Sequence, residues 1–178
     1  MHDMKELEKT LGYRFQDPSL LETALTHTSY ANEARRGTKH NERLEFLGDS
    51  VLSIVVADYL FTHNDLPEGE LTRMRASLVC ENALFGFAQK IRLGDYLRLG
   101  HGEELGGGRR RPSVVSDAFE AVIAALYLDG GIEQARRFIL PFITQALTCK
   151  NTEEDYKTKL QEIIQQNPEE RLSYMVTD

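Results

Sequence analysis

Glu42, Glu45 and Asp49 recur at i, i+3 and i+7 within NERLEFLGDS, residues 41–50. At about 100° per helical residue these carboxylates fall within roughly 60° of one another. A helix through this segment therefore carries an acidic stripe, with Leu44, Leu47, Val51 and Val55 projecting on the opposite side. Asp117 and Glu120 form a second pair at i, i+3, from which the bulky Phe119, Val122, Ile123 and Leu126 turn away. Ala121 and Ala124 beside that pair are small enough to let another helix come close. If the two stripes face each other, four or more carboxylates share one place, which is costly unless protons or cations compensate. Oxygen donors without His or Cys suit a hard cation, magnesium first and manganese as its substitute. Such an ion activates water and stabilises the charge that develops in phosphodiester hydrolysis. Spacing alone leaves a second possibility open, that these acids are a solvated helix face.

Helices must position both stripes, and helix signals dominate the chain. Asp3 can cap Met4 to Leu11, with Gly12 ending that helix. Asp17 before Pro18 predicts a second helix over 18–27, and residues 30–40 read as a loop. Asn41 can cap a long helix to about Thr62, whose second half, Val51 to Phe61, is apolar nearly all round and should be the buried spine. Helical periodicity follows over 71–79 and 82–91. Gly100 to Pro112, with Gly102, Gly106, Gly107 and Gly108, reads as a mobile surface loop. It is either a solvated linker or a place where Arg109, Arg110 and Arg111 meet phosphates while the glycines let the backbone approach. Ser113 or Ser116 should start a helix to Leu128, which Asp129, Gly130 and Gly131 stop. A final helix from Ile132 to about Leu147 should kink at Pro141. No internal repeat or strand-rich stretch is present, so the main domain should be all-α.

The chain's 178 residues suffice for one catalytic domain and a remnant, with no apolar run fit to span a bilayer, and it reads as a soluble cytosolic (cytoplasmic) protein. Cys80 and Cys149 stand far apart and outside any C-x-x-C motif, so both should be reduced and structural. A net charge of -7 argues against a simple electrostatic nucleic-acid binder. That objection weakens because cations cluster at Arg35, Arg36 and Lys39, at Arg73 and Arg75, and at Arg109 to Arg111, while bound divalent ions would reverse the sign of an acidic site.

NERLEFLGDS with the following Val51 and Leu52 resembles the signature of ribonuclease III, and the likeness continues through EGELTRMRASLV at 68–79 and SDAFEAVIAALYLDGG at 116–131. It covers nearly all of residues 5–147. The resemblance implies the helical bundle of a ribonuclease III endonuclease domain over 1–148, a linker at 149–154, and over 155–178, from DYKTKLQE onward, the incomplete α+β start of a double-stranded RNA-binding domain. Helix at 155–166 and a strand at 172–176 would belong to that start, without the basic helix that grips phosphates in such domains. By the same resemblance Glu45, Asp117 and Glu120 match metal ligands, Asp49 and Glu120 catalytic positions, with Asp49 orienting the ligand shell and attacking water, and Glu42 and Glu68 supporting acidic positions. The family implies a homodimer that cuts double-stranded RNA to 5′-phosphate and 3′-hydroxyl ends, in the processing of ribosomal and messenger RNA precursors. Phe46, Leu47 and Leu52, off or beside the acidic stripe, could leave apolar surface for the partner subunit. Gly48 inside a helix costs about 1 kcal/mol against alanine and should serve close backbone packing.

Rival classes fit less well. A catalytically silent RNA-binding dimer would not need all four acidic positions. A di-iron carboxylate bundle needs Glu-x-x-His pairs, and no histidine of this chain has Glu three residues before it. Neither a P-loop nor a Rossmann fingerprint is present.

Overall fold

The computed structural model describes the backbone of residues 4–34 and 37–165, and side chains as far as residue 149. Among the described residues the chain is helical, with one isolated parallel bridge between Thr26 and Arg98 and no strand. Helix α1 (Met4–Leu11) buries Leu7 and Leu11, and α2 (Pro18–Ala24) starts where Asp17 accepts from the Ser19 N–H with proline in the first turn. It ends three residues sooner than expected, because the chain turns at Leu25 to pair with residue 98, the Arg98 N–H donating to the Leu25 carbonyl at 2.8 Å. Part of the expected loop is instead helix α3 (Thr28–Glu33), capped by the imidazole of His27.

Helix α4 (Glu42–His63) carries the first acidic stripe, followed by α5 (Glu68–Leu78) and α6 (Glu81–Lys90). Its second half is not the spine. Val51, Leu52, Val55, Val56 and Leu60 are buried, but Ile54 is 59% and Phe61 75% exposed, so one side of α4 is left open. The spine is the first arm of α8 (Pro112–Gln165), where every residue from Ala118 to Leu126 except Glu120 is at most 1% exposed. Phe119 of that arm stacks among Phe87, Phe138 and Phe142 with ring centroids 5.3–6.2 Å apart. Aromatic pairs of this kind add about 0.5–1.5 kcal/mol each beyond area burial. An apolar run in the sequence cannot say which side stays open, and here the alanines of α8, not the larger residues of α4, permit helices to pack on all sides.

The break expected after Leu128 is present as a single residue, Gly131, at φ 76° and ψ 179°. Helical angles continue through Pro141, so the departure from helix falls at the glycine and not at the proline. Asp129, just before the break, accepts from the Tyr13 hydroxyl and from the Gln16 and Asp17 N–H groups at 2.7–3.0 Å, tying α8 to the turn between α1 and α2.

The glycine-rich stretch is ordered into α7 (His101–Leu105) and a 3-10 turn, Gly108–Arg110. Glu33 of α3 accepts from the His101 N–H at 2.9 Å, supplying the cap that the local sequence lacks. Arg109 donates to the carbonyls of Gly94 and Leu97 and pairs with Glu104, while Arg111 pairs with Glu103.

Residues Met1–Phe142 form one compact unit, and Ile143–Asp178 a second, of which α8 to Gln165 is the described part. The backbone at 149–154 is helical, where a linker was expected, and the expected strand at 172–176 lies outside the described residues. Cys80 and Cys149 are free and exposed rather than packed in a core. No helix among the described residues is long and apolar enough to cross a membrane.

Candidate metal centre

The two acidic stripes meet where α4 crosses the first arm of α8. Gly48 makes this possible: a Cβ there would lie 1.9 Å from the Glu120 carbonyl oxygen, so the two backbones touch where no larger residue fits. Each helix then delivers its acids to the same side of the contact. One carboxylate oxygen from each of Glu45, Asp117 and Glu120 lies within 4.8 Å of the others, all three partly buried. A single ion with oxygen ligands at 2.0–2.6 Å can be held by three such groups.

The electrostatics point the same way. Burial, then the charges of Asp49, Glu45 and Asp117, push the Glu120 carboxyl up to about 8. Glu45 is raised by burial and by Asp117, Glu42 and Asp49. Asp117 is raised by burial and by Glu81, partly offset by His27 and by a hydrogen bond with Ser116. Burial first, and mutual repulsion second, disfavour the ionised form of all three carboxyls, and a bound cation would offset that cost. An exposed acidic face on a solvated helix would not produce it.

The structure brings Glu45, Asp117 and Glu120 together and sets Asp49 close enough to act on Glu120. Glu42 is exposed, 3.8 Å from the His40 imidazole, and within electrostatic reach of Glu45. Glu68 is not among the converging acids. It sits exposed on α5, accepts from the Thr72 hydroxyl at 2.9 Å, and borders a cavity of about 500 Å³ with Ile54, Phe61 and Leu71. Arg109 and Arg111 are held in the ion pairs given above, and Arg110 is exposed. Of the three apolar residues beside the stripe, Phe46 is 79% exposed, whereas Leu52 is core at 1%.

Glu81, whose charge reaches Asp117, was not legible in the sequence, because it has the form of any acidic residue in a first helical turn. His27 is nearby as well; its role as a helix cap was hidden, since histidine is not among the usual capping residues.

A family model described as Ribonuclease-III-like matches residues 17–147. Ribonuclease 3 of Clostridium tetani is 48% identical over 178 residues, 98% of this chain and 75% of that protein. Ribonuclease 3 of Clostridium perfringens is 51% identical over 173 residues, 95% of this chain and 73% of that protein. Among solved structures, the nuclease domain of ribonuclease III from Campylobacter jejuni, described for flexibility in a region involved in dimer formation, superposes with TM-score 0.74 and 42% identity over 80% of this chain and 97% of that one. Dicer from Pichia stipitis follows at TM-score 0.58 and 27% identity, over 78% of this chain and 60% of that one. With the acids converging inside the matched region, and relatives near half identity over almost its whole length, the chain belongs to the ribonuclease III family.

Proposed function

We infer that this chain is an endoribonuclease that hydrolyses double-stranded RNA. The observation that carries the reading is the convergence of Glu45, Asp117 and Glu120 within 4.8 Å beside Asp49. A silent binding module would have no use for so costly a concentration of carboxylates. The donor set fits a magnesium ion, with manganese as substitute, since every donor is a carboxylate oxygen and no soft ligand is present in the cluster. Bound there, the ion would supply Lewis-acid stabilisation of the phosphodiester and a water of lowered pKa. Glu45, Asp117 and Glu120 would hold it. Asp49, beside Glu120, is assigned to orient the attacking water and Glu120 itself. The products implied are 5′-phosphate and 3′-hydroxyl ends, and the physiological work implied is the maturation of ribosomal and messenger RNA precursors in the cytoplasm.

A homodimer is the assembly we assign. Phe46, Ile54 and Phe61 are exposed and fall within about 80° on α4 at 100° per residue, with Phe46 next to the acidic stripe and the other two further round and further along the helix. Large apolar side chains left open along one side of a helix mark a surface made to be covered. Glu42 and Glu68 are supporting acids of the valley between subunits, and the position of Glu68 beside Ile54 and Phe61 favours that placing. Residues 1–148 are the catalytic domain, 149–154 the join, and 155–178 the start of an RNA-binding domain. Phosphate contacts are assigned to the Arg109 to Arg111 segment, with Arg110 exposed for the purpose.

Cleavage of a long RNA duplex in magnesium, calcium and chelator tests the reading. Magnesium-dependent cutting is expected, and Glu120→Gln should reduce it by on the order of 10³-fold while duplex binding in calcium persists, because several kcal/mol of charge stabilisation is lost. Equal loss of binding and cleavage would remove Glu120 from its assigned role. Absence of cutting by a dimer that binds duplex would leave the silent module.

A further inference from the structure

The glycine-rich segment that carries Arg110 is held at its entry by the chain around α3. The Arg98 N–H donates to the Leu25 carbonyl at 2.8 Å, and the Arg98 carbonyl accepts from the His27 N–H at 3.0 Å. Two residues on, the Gly100 N–H donates to the Ser29 hydroxyl and the His101 N–H to the Glu33 carboxylate, both at 2.9 Å. The Ser29 N–H also donates to Nδ1 of His27, which is therefore the unprotonated ring nitrogen. The Ser29 hydroxyl gives its own hydrogen to that nitrogen at 2.8 Å and keeps its lone pairs for Gly100. The fit is close, since a Cβ on Gly100 would lie 2.5 Å from Glu33 Oε1 and 2.7 Å from the Ser29 carbonyl oxygen.

Helix α7 needs this support. It has five residues, too few to persist by itself, and its N-cap position is Gly100, which has no side chain to offer its first N–H groups. Further along, Arg109 donates to the carbonyls of Gly94, Asp95 and Leu97 at 2.7–3.3 Å and pairs with Glu104, while Arg111 pairs with Glu103. These two arginines are spent inside the protein. Arg110 alone of the three has no side-chain partner among the described residues, and it is exposed.

We propose that Glu33 is a positioning residue for duplex RNA: its carboxylate, with the Ser29 hydroxyl beside it, locks the start of α7 so that Arg110 meets phosphate from a fixed place. This rests on the phosphate role given above to the arginine segment. The same junction reaches the acidic helix, because the Thr26 carbonyl accepts from the Asn41 N–H at 2.9 Å, one residue before α4. Arg110 and the carboxylate cluster are thereby held on one frame.

The sign of the charge separates this role from a surface one. Glu33 is exposed and negative, so on electrostatic grounds alone its removal strengthens binding to a polyanion, whereas loss of positioning weakens it. Binding of a perfect RNA duplex in calcium, measured across a salt series, should weaken by about 5–10-fold in Glu33→Ala, with the salt slope lowered by about 1, as in Arg110→Ala. In magnesium the loss should fall on KM rather than on kcat. Glu33→Gln keeps an acceptor oxygen for His101 and should bind within about twofold of wild type. The double variant Glu33→Ala with Arg110→Ala should bind no worse than Arg110→Ala, because Glu33 acts through that residue. Unchanged or tighter binding by Glu33→Ala, beside a loss in Arg110→Ala, overturns this proposal and leaves the arginine contact standing. Additive losses in the double variant, or equal weakening in Glu33→Gln and Glu33→Ala, overturn it too. An Arg110→Ala variant with the wild-type salt slope would refute the phosphate contact and this inference together.

Discussion

Glu120 holds its proton up to about 8 because it is partly buried among Asp49, Glu45 and Asp117, whereas in an unfolded chain its carboxyl sits near 4.5. Between those values the folded protein keeps a proton that the unfolded one has lost. Stability without metal is therefore fullest below the lower value and declines as pH rises through the window; Glu45 and Asp117, also raised, act in the same sense. In chelator the melting temperature should fall from about pH 5 to about pH 8, magnesium should restore it at the upper end, and Glu120→Gln should flatten the slope. A melting temperature that rises over that range would contradict the crowded-carboxylate account. Gly48 gives a second test at this scale. Gly48→Ala forces a methyl against the Glu120 carbonyl, so it should destabilise the protein by about 1–3 kcal/mol in thermal melts and lower cleavage at the same time, since the residue displaced is one of the three converging acids proposed to hold the ion. Wild-type stability and rate together would show that the helices can part without harm.

At the scale of elements, what could be read in advance depended on whether a helix carries its own end signals. Asp17 with Pro18 announced α2, and Asp129 with the glycines announced the break in α8, because both devices are local. Helix α7 was invisible since its cap is Glu33, distant in sequence, and glycines at 102, 106, 107 and 108 argue for a loop. The acidic stripe of Glu42, Glu45 and Asp49 was legible because i, i+3 and i+7 spacing is a property of one helix, and the small Ala121 and Ala124 beside Asp117 and Glu120 pointed to the two stripes facing each other. That Leu52 would be core while Ile54 and Phe61 stay open was not legible, since the periodicity of an almost wholly apolar run does not name the uncovered side. The arginines of the glycine-rich segment divide in the same way. Arg109→Ala removes donors to the Gly94 and Leu97 carbonyls and the pair with Glu104, and should cost about 1–3 kcal/mol in a denaturant melt. Arg110→Ala should leave stability within about 0.5 kcal/mol and instead reduce the salt slope of duplex binding by about 1. If Arg110→Ala left that slope unchanged, the segment would have no phosphate contact through this residue.

For the molecule as a whole, assembly and charge are linked. The row of Phe46, Ile54 and Phe61 runs along α4 and begins beside the acidic stripe at Phe46, so a subunit docked on it would lie next to the cluster at that end. Replacing Phe46 and Phe61 together by serine removes two large apolar contacts worth about 1.5–3 kcal/mol each when buried. Sedimentation should show a dimer weakened by a factor on the order of 10² or more, with the monomer still helical. An undiminished dimer would place the interface elsewhere. A cation held by the acids of the centre would offset part of the net charge of -7, since three of the negative side chains lie in that one place.

The contact at Gly48 has a consequence for how this nuclease can change. With α4 and α8 pressed backbone to backbone at Gly48, side-chain length contributes directly to the aperture of the carboxylate cluster. Exchanging Glu for Asp at 45 or 120 would alter the aperture by one methylene at a time, making those two positions the dial by which a larger cation could be admitted.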